Sequence, residues 1–368
     1  MAAASAGELN MFRLAKSGCP VHRMRSIALP ACWVLALFLG LPGFCPDARG
    51  QTLKPYEFSL VRMGTLFRFE LYTQDAGEAS KAADAAFERV EELEESMSDY
   101  REDSELNRLA RGGASGPRAV SPELFSVLAK SQEISRLSGG AFDITVGPVV
   151  QLWREAKRTG KLPSPLELAR AKAAVDYRNI ELRPEDRTVF LKRSDMKLDL
   201  GAIAKGYAAD EALKVLKAHG IHSAMVVGGG EVALGAPPPG RAGWRVAIDS
   251  PDAEAGQPAC SLVLHDINLS TSGDSKQYVE INGQRYSHVI NPATGMGLQG
   301  ASSTTVIAHD GATADALATA LSVLPVADGI QLAESMEGVA AYMVRQAHGV
   351  WMHFSSRGFP AACSDSRK

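Results

Sequence analysis

Charge of one sign is scarce in this chain. Its 368 residues carry 39 Lys and Arg against 42 Asp and Glu, a formal net charge of -3, so no strong basic field points to a nucleic acid. Cysteine is also sparse, at five residues: Cys19, Cys32, Cys45, Cys260 and Cys363. None stand as C-x-x-C, which argues against a zinc or dithiol redox motif. Cys260 and Cys363 are available to pair in an oxidising compartment, although nothing local demands it. No internal repeat, coiled coil or low-complexity tract is evident. The glycine cluster at Gly228-Gly229-Gly230-Glu231 lacks both the G-x-G-x-x-G spacing and a Walker lysine. What remains is an ordinary apolar fraction of 45% and a length that suits one large soluble domain or two.

Long apolar runs are scarce too. The stretch Ile27 to Leu41 is too short for a comfortable membrane span but has signal-peptide length, and Arg13, Lys16, His22, Arg23 and Arg25 precede it. Ala48-Arg49-Gly50 supplies small residues at the usual -3 and -1 positions, so residues 1–50 read as a signal peptide cleaved before Gln51. Met24 offers an alternative start with a shorter n-region. Cys45 opens a lipoprotein reading, but Phe44 stands where a small residue is wanted, and cleavage is the preferred expectation. Either route takes the mature protein out of the cytoplasm, and lipidation would anchor it to the membrane.

Beyond the leader, strand and helix signals mix without regular βαβ alternation, which predicts an α+β fold. Pro55 to Tyr72 reads as strand, with a bulge expected at Gly64. Ala76 to Met97 is an amphipathic helix, and Ser121-Pro122 starts another that runs to about Leu137. Trp153 to Thr188 looks like a charged peripheral insertion without a readable motif. A strand ending at Leu200 is expected to turn into a helix reaching about His219, with Gly220 as its cap. Such a turn presents free backbone N–H groups and a positive dipole end, which suits a phosphate. Lys205 is badly placed for that dipole unless an anion offsets it, the alternative being a surface lysine. Asn282-Gly283 marks a hairpin that delivers His288 and Ile290.

Asp315 and Thr319 lie about 40° apart on one side of a helix, opposite Leu317, Leu321 and Leu324. A carboxylate and a hydroxyl stacked one turn apart offer hard oxygen ligands for magnesium or calcium. A solvated polar face is the alternative.

The segments HVINPATG and DGATADALATAL resemble the C-terminal signature of the ApbE family of FAD:protein FMN transferases, and the resemblance runs from roughly Met63 to Val344. It implies one compact unit over residues 51–357, helices around β-sheets, with a loose tail at 358–368. It also implies site roles. Met63, in a Met-Gly-Thr, lines the flavin pocket. Tyr100 stacks on the isoalloxazine ring, where the residue itself would otherwise serve as a helix cap. Ala141, Phe142 and Asp143 contact FAD; read alone, Asp143 is a turn carboxylate. Asp199 and Lys205 match FAD contacts. The Ala202 carbonyl joins Asp315 and Thr319 around Mg2+. Ser270 to Asp274 matches a family loop. Glu231 departs from the family's Gly-Gly-Asp or Gly-Gly-Asn.

The implied reaction moves FMN from FAD to a Ser or Thr hydroxyl of an acceptor flavoprotein subunit of a redox complex, and AMP leaves. Such chemistry requires a cation on the pyrophosphate, positioning of phosphorus against the hydroxyl, and a proton acceptor. His288 is the candidate base because imidazole titrates near neutrality; a structural, hydrogen-bonded His is the alternative. Asp310-Gly311-Ala312-Thr313 resembles the acceptor pattern but has Asp where Ser or Thr is required, so self-modification is not expected. An FAD pyrophosphatase and a periplasmic FAD-binding protein remain as alternatives.

Overall fold

The computed structural model describes residues 53–253, 258–273, 277–347 and 349–363. The leader reading, Cys45 and Asp274 lie outside these residues. The fold is α+β, built on an eight-stranded sheet whose strands follow one another across the sheet in chain order. They are Lys54–Arg62, Thr65–Thr73, Ala224–Gly228, Glu231–Leu234, Asn268–Gly273, Ser302–Ala308, Ala340–Ala347 and Val350–Ser355. Every neighbouring pair is antiparallel.

Period-2 alternation divides the strand side chains between two cores. Phe67, Phe69, Leu71, Val226, Val306 and Met343 face a helical layer made by Ala76–Met97, Pro122–Leu137, Ala204–Ala218 and Gly311–Val323. Phe67, Phe69 and Leu71 are wholly buried there, each contributing about 1.5–3 kcal/mol by apolar burial. Met225, Val227, Leu234, Ile307 and Val344 point the other way, under the ribbon Trp244–Ile248 and Cys260–Leu264. Three of the four central strands, Ala224–Gly228, Glu231–Leu234 and Ser302–Ala308, are therefore buried on both faces.

Local chemistry sets the helix ends. Asp75 caps the 76–97 helix by accepting from Gly77 N and Glu78 N. Ser121 caps the 122–137 helix, with Pro122 at its first position. Three expectations change. Met63 and Gly64 both have positive φ, 51° and 72°, and form a two-residue hairpin turn rather than a bulge. Residues 270–273, expected as a loop, continue the Asn268–Gly273 strand, because Ser302–Ala308 supplies partners along the whole polar segment and Glu231 pairs with Ser270. The segment after Arg357 is packed, not loose, as far as it is described. Phe359 is buried, and Cys363 is disulfide-bonded to Cys260 beneath the sheet.

The supposed insertion after Trp153 is also tied to the body. Trp153 lies at 5.1 Å from the Tyr286 ring and donates from Nε1 to Gly295 O at 2.8 Å. With Val149 and Ile290 it forms a third core joining the Gly147–Thr159 helix to the Tyr278–Ile281 and Gln284–Ser287 hairpin.

Candidate active site

The site begins where the chain enters the Ala204–Ala218 helix. Residues 197–200 run without a strand partner, contrary to expectation; Asp199 N instead donates to Ile144 O at 2.8 Å. Asp199 Oδ1 accepts from Gly201 N at 2.8 Å and bends the chain into the helix. No side chain caps this helix at Ile203. Its Gly206 N–H instead donates to Asp315 Oδ2 at 3.1 Å, across from the neighbouring helix.

Such a reach needs close helices. A Cβ on Gly206 would lie 2.0 Å from Gly311 O, and one on Gly311 would lie 2.2 Å from Gly206 O. Two glycines therefore let the helices touch backbone to backbone and bring Asp315 beside Lys205. The Gly311–Val323 helix is buried almost all round, and Asp315 is only 4% exposed, so its carboxylate does not lie on a solvated face. Thr319 follows one turn later and is half-buried.

Lys205 donates from Nζ to Gly201 O at 2.6 Å and lies 3.4 Å from Glu231 Oε1 and 3.7 Å from Asp315 Oδ2. Glu231, whose role the sequence left in doubt, is thus the third member of a buried cluster, and its Oε2 has no hydrogen-bond partner. Burial raises the Glu231 pKa to about 8 against the pull of Lys205, and burial likewise raises that of Asp315. Burial acts to lower the Lys205 pKa, but the Asp315 and Glu231 charges outweigh it and hold the ammonium above its ordinary value. The sequence marked Glu231 only as a departure from the family's Gly-Gly-Asp or Gly-Gly-Asn and as an acidic residue opening an otherwise apolar strand.

A second cluster stands on the other side of Asp199. Arg154 spans Asp99 at 2.5 Å and Asp199 at 3.1 Å, and its guanidinium lies 4.0 Å from the centre of the Tyr100 ring. Tyr100 is 75% exposed, so one ring face is covered and much of the side chain is open. Burial, then the Asp99 charge, raise the Asp199 pKa; Arg154 opposes them. Nothing in the sequence marked Arg154.

The remaining expected residues are distributed around these clusters. Met63 is half-buried at the hairpin turn, and its N–H donates to Glu94 Oε2 at 2.7 Å. Ala141 is half-buried and Phe142 is buried in the main core. Asp143 accepts from Thr145 N, Thr145 Oγ1 and Tyr177 N, so both carboxylate oxygens serve the protein's own turn. Ala202 is half-buried in the turn before the 204–218 helix, and Ile290 packs in the third core. His288 is exposed, and its Nδ1 lies 3.0 Å from Gln277 O. Among the described residues, no group of three or more His, Cys, Asp or Glu side chains is arranged to hold a metal ion.

The ApbE family model matches residues 63–343. An FAD:protein FMN transferase of Treponema pallidum is 33% identical over 89% of this chain and 92% of its own length. Another from Vibrio cholerae is 33% identical over 80% of this chain and 89% of its own. The solved structure of the flavin transferase ApbE from Vibrio cholerae superposes with a TM-score of 0.74 at 30% identity, covering 83% of this chain and 98% of that one. With a family match that takes in the sheet from Thr65–Thr73 to Ser302–Ala308, both glycine-joined helices and the Lys205 turn, the chain belongs to the ApbE family.

Proposed function

We propose that the chain transfers FMN from FAD to a serine or threonine hydroxyl of an acceptor protein and releases AMP. The observation that carries this reading is the cation of Lys205, held between Asp315 and Glu231 at a helix start that no side chain caps, in a member of this family. A helix N-terminus with a half-buried lysine suits a pyrophosphate.

The chain's residues divide the work. Tyr100 offers an open ring face to the isoalloxazine, with Met63, Ala141, Phe142 and Ile290 around the flavin. Asp143 shapes the turn beside it. Asp199 positions the FAD, and Lys205 neutralises phosphate charge. His288 takes the acceptor's proton. The hydroxyl oxygen then bonds to the FMN phosphorus, and the bond from that phosphorus to the oxygen bridging to AMP breaks, with AMP carrying the electron pair away. The donor set fits magnesium, which needs only one or two carboxylates when substrate phosphates complete its shell: Asp315 supplies one, and the partnerless oxygen of Glu231 lies in the same cluster. Asp315, Thr319 and the Ala202 carbonyl would hold the ion. When bound, it supplies charge neutralisation at the pyrophosphate and the leaving phosphate.

The setting is extracytoplasmic, by the leader reading of residues 1–50 and cleavage before Gln51. The Cys260–Cys363 disulfide supports an oxidising compartment. The acceptor is a flavoprotein subunit of a redox complex, and inner-membrane association follows if Cys45 carries lipid. N-terminal sequencing that starts near Gln51 supports cleavage; a blocked terminus at Cys45 replaces it with an anchor.

The deciding experiment incubates the protein with FAD, magnesium and an acceptor domain, then weighs the acceptor. A covalent FMN adduct is expected. Free FMN in the absence of acceptor, with no adduct in its presence, would make the protein an FAD pyrophosphatase. FAD retained unchanged would make it a binding protein.

A further inference from the structure

We infer that Arg154 is a positioning residue for the flavin, fixing Tyr100 and Asp199 as one preassembled platform; this rests on the flavin reading above. Three segments distant in sequence meet at this guanidinium. Its Cζ lies over the Tyr100 ring, its Nη1 holds Asp99 at the end of the 76–97 helix, and its Nη2 holds Asp199 at the entry to the 204–218 helix. Asp199 in turn fixes Gly201 and, through its N–H, Ile144, so one side chain links the aromatic platform to the phosphate turn.

The geometry is specific to arginine. A planar fork can hold two carboxylates while stacking on a ring, and an ammonium can do only one of these well. The Arg154 side chain is 32% exposed and those of Asp99 and Asp199 are 15% and 12% exposed, so the pairs are partly shielded from water. The helix that carries Arg154 is anchored independently through Trp153, which packs on Tyr286 and donates to Gly295. Removing the guanidinium therefore leaves its helix in place and frees the platform. An untethered Tyr100 must lose its mobility on binding, and that loss weakens affinity without touching the reacting atoms.

The test compares wild type, Arg154→Met, Arg154→Lys, Tyr100→Ala and the Arg154→Met/Tyr100→Ala double variant. FAD affinity is followed by fluorescence titration and transfer by steady-state kinetics. Expected are an about 10-fold loss of FAD affinity in Arg154→Met, appearing in KM with kcat nearly unchanged, and only partial recovery in Arg154→Lys. The two single losses should not multiply in the double variant, because both act through one platform. Wild-type affinity in a folded Arg154→Met, or a double variant whose loss is the product of the singles, would overturn the inference alone. A wild-type protein that binds no FAD would overturn the flavin reading and this inference together. If Arg154→Met melts too low to assay, Arg154→Gln, which keeps a polar side chain but loses the fork, supplies the same comparison, with the same two outcomes.

Discussion

At Asp315 a single proton-sized change carries much of the reading. Asp315→Asn keeps an oxygen for the Gly206 N–H but removes the charge that faces Lys205. FMN transfer should fall by at least about 10²-fold, as when one electrostatic group is removed from a phosphoryl-transfer site, and the magnesium dependence should shift to higher concentration. Because the carboxylate is buried, the fold should also lose about 1–3 kcal/mol, which thermal melting will show. Transfer at the wild-type rate with an unmoved magnesium curve would remove Asp315 from the site. The sequence showed the Asp315 and Thr319 spacing but not its setting. A helix this rich in alanine looks half-solvated on paper, and only the Gly206–Gly311 contact reveals that a neighbour covers the polar side. The roles of Glu231 and Arg154 were hidden for a related reason. Each finds its partners in distant segments, so no local spacing announces the pairing.

Between elements, the crossing of the 204–218 and 311–323 helices governs both stability and the site. Gly206→Ala must force the backbones apart, costing about 1–3 kcal/mol by overpacking, and should depress FAD turnover more than its stability loss explains. Chemical denaturation alongside kinetics measures both; an unshifted midpoint would mean the helices part freely. Asp210 reinforces the same crossing by accepting from Gly311 N. Its burial, with the nearby Asp310 charge, raises its pKa to about 6, against the Gly311 hydrogen bond and Lys214. A raised carboxyl pKa favours the folded state below the unfolded value near 4, and that contribution disappears as pH climbs to about 6. Asp210→Asn should therefore flatten the stability decline between about pH 4 and 6, by on the order of 2 kcal/mol, in melts taken across that range. An identical slope in both proteins would place Asp210 outside the linkage. Elements with their own punctuation were legible beforehand: Ser121-Pro122 starts a helix, Gly220 ends one with φ 80°, and Asn282-Gly283 turns a hairpin. Elements defined by neighbours were not. Residues 270–273 are strand because Ser302–Ala308 pairs with all of them, and 197–200 is not, since no strand flanks it.

On the scale of the molecule, the Cys260–Cys363 bond joins positions 103 residues apart and pins the C-terminal segment under the sheet. Cys363→Ser should cost about 2–5 kcal/mol while leaving FAD affinity unchanged, because the bond lies on the face opposite the helical layer. Melting with and without reductant checks it: reductant should lower the wild-type midpoint to that of Cys363→Ser, and coincident midpoints without reductant would show the bond does not constrain the fold. The sequence offered those two cysteines without a reason to join them; the reason is the shared core of the ribbon and Phe359. The sheet itself has a temporal consequence. Its strands lie side by side in the order in which they occur in the chain. A polypeptide that folds from its amino end can add each strand to a growing edge, and no earlier strand must open to admit a later one. Cys363 follows every strand of the sheet along the chain, so the covalent lock can close on a sheet already laid down.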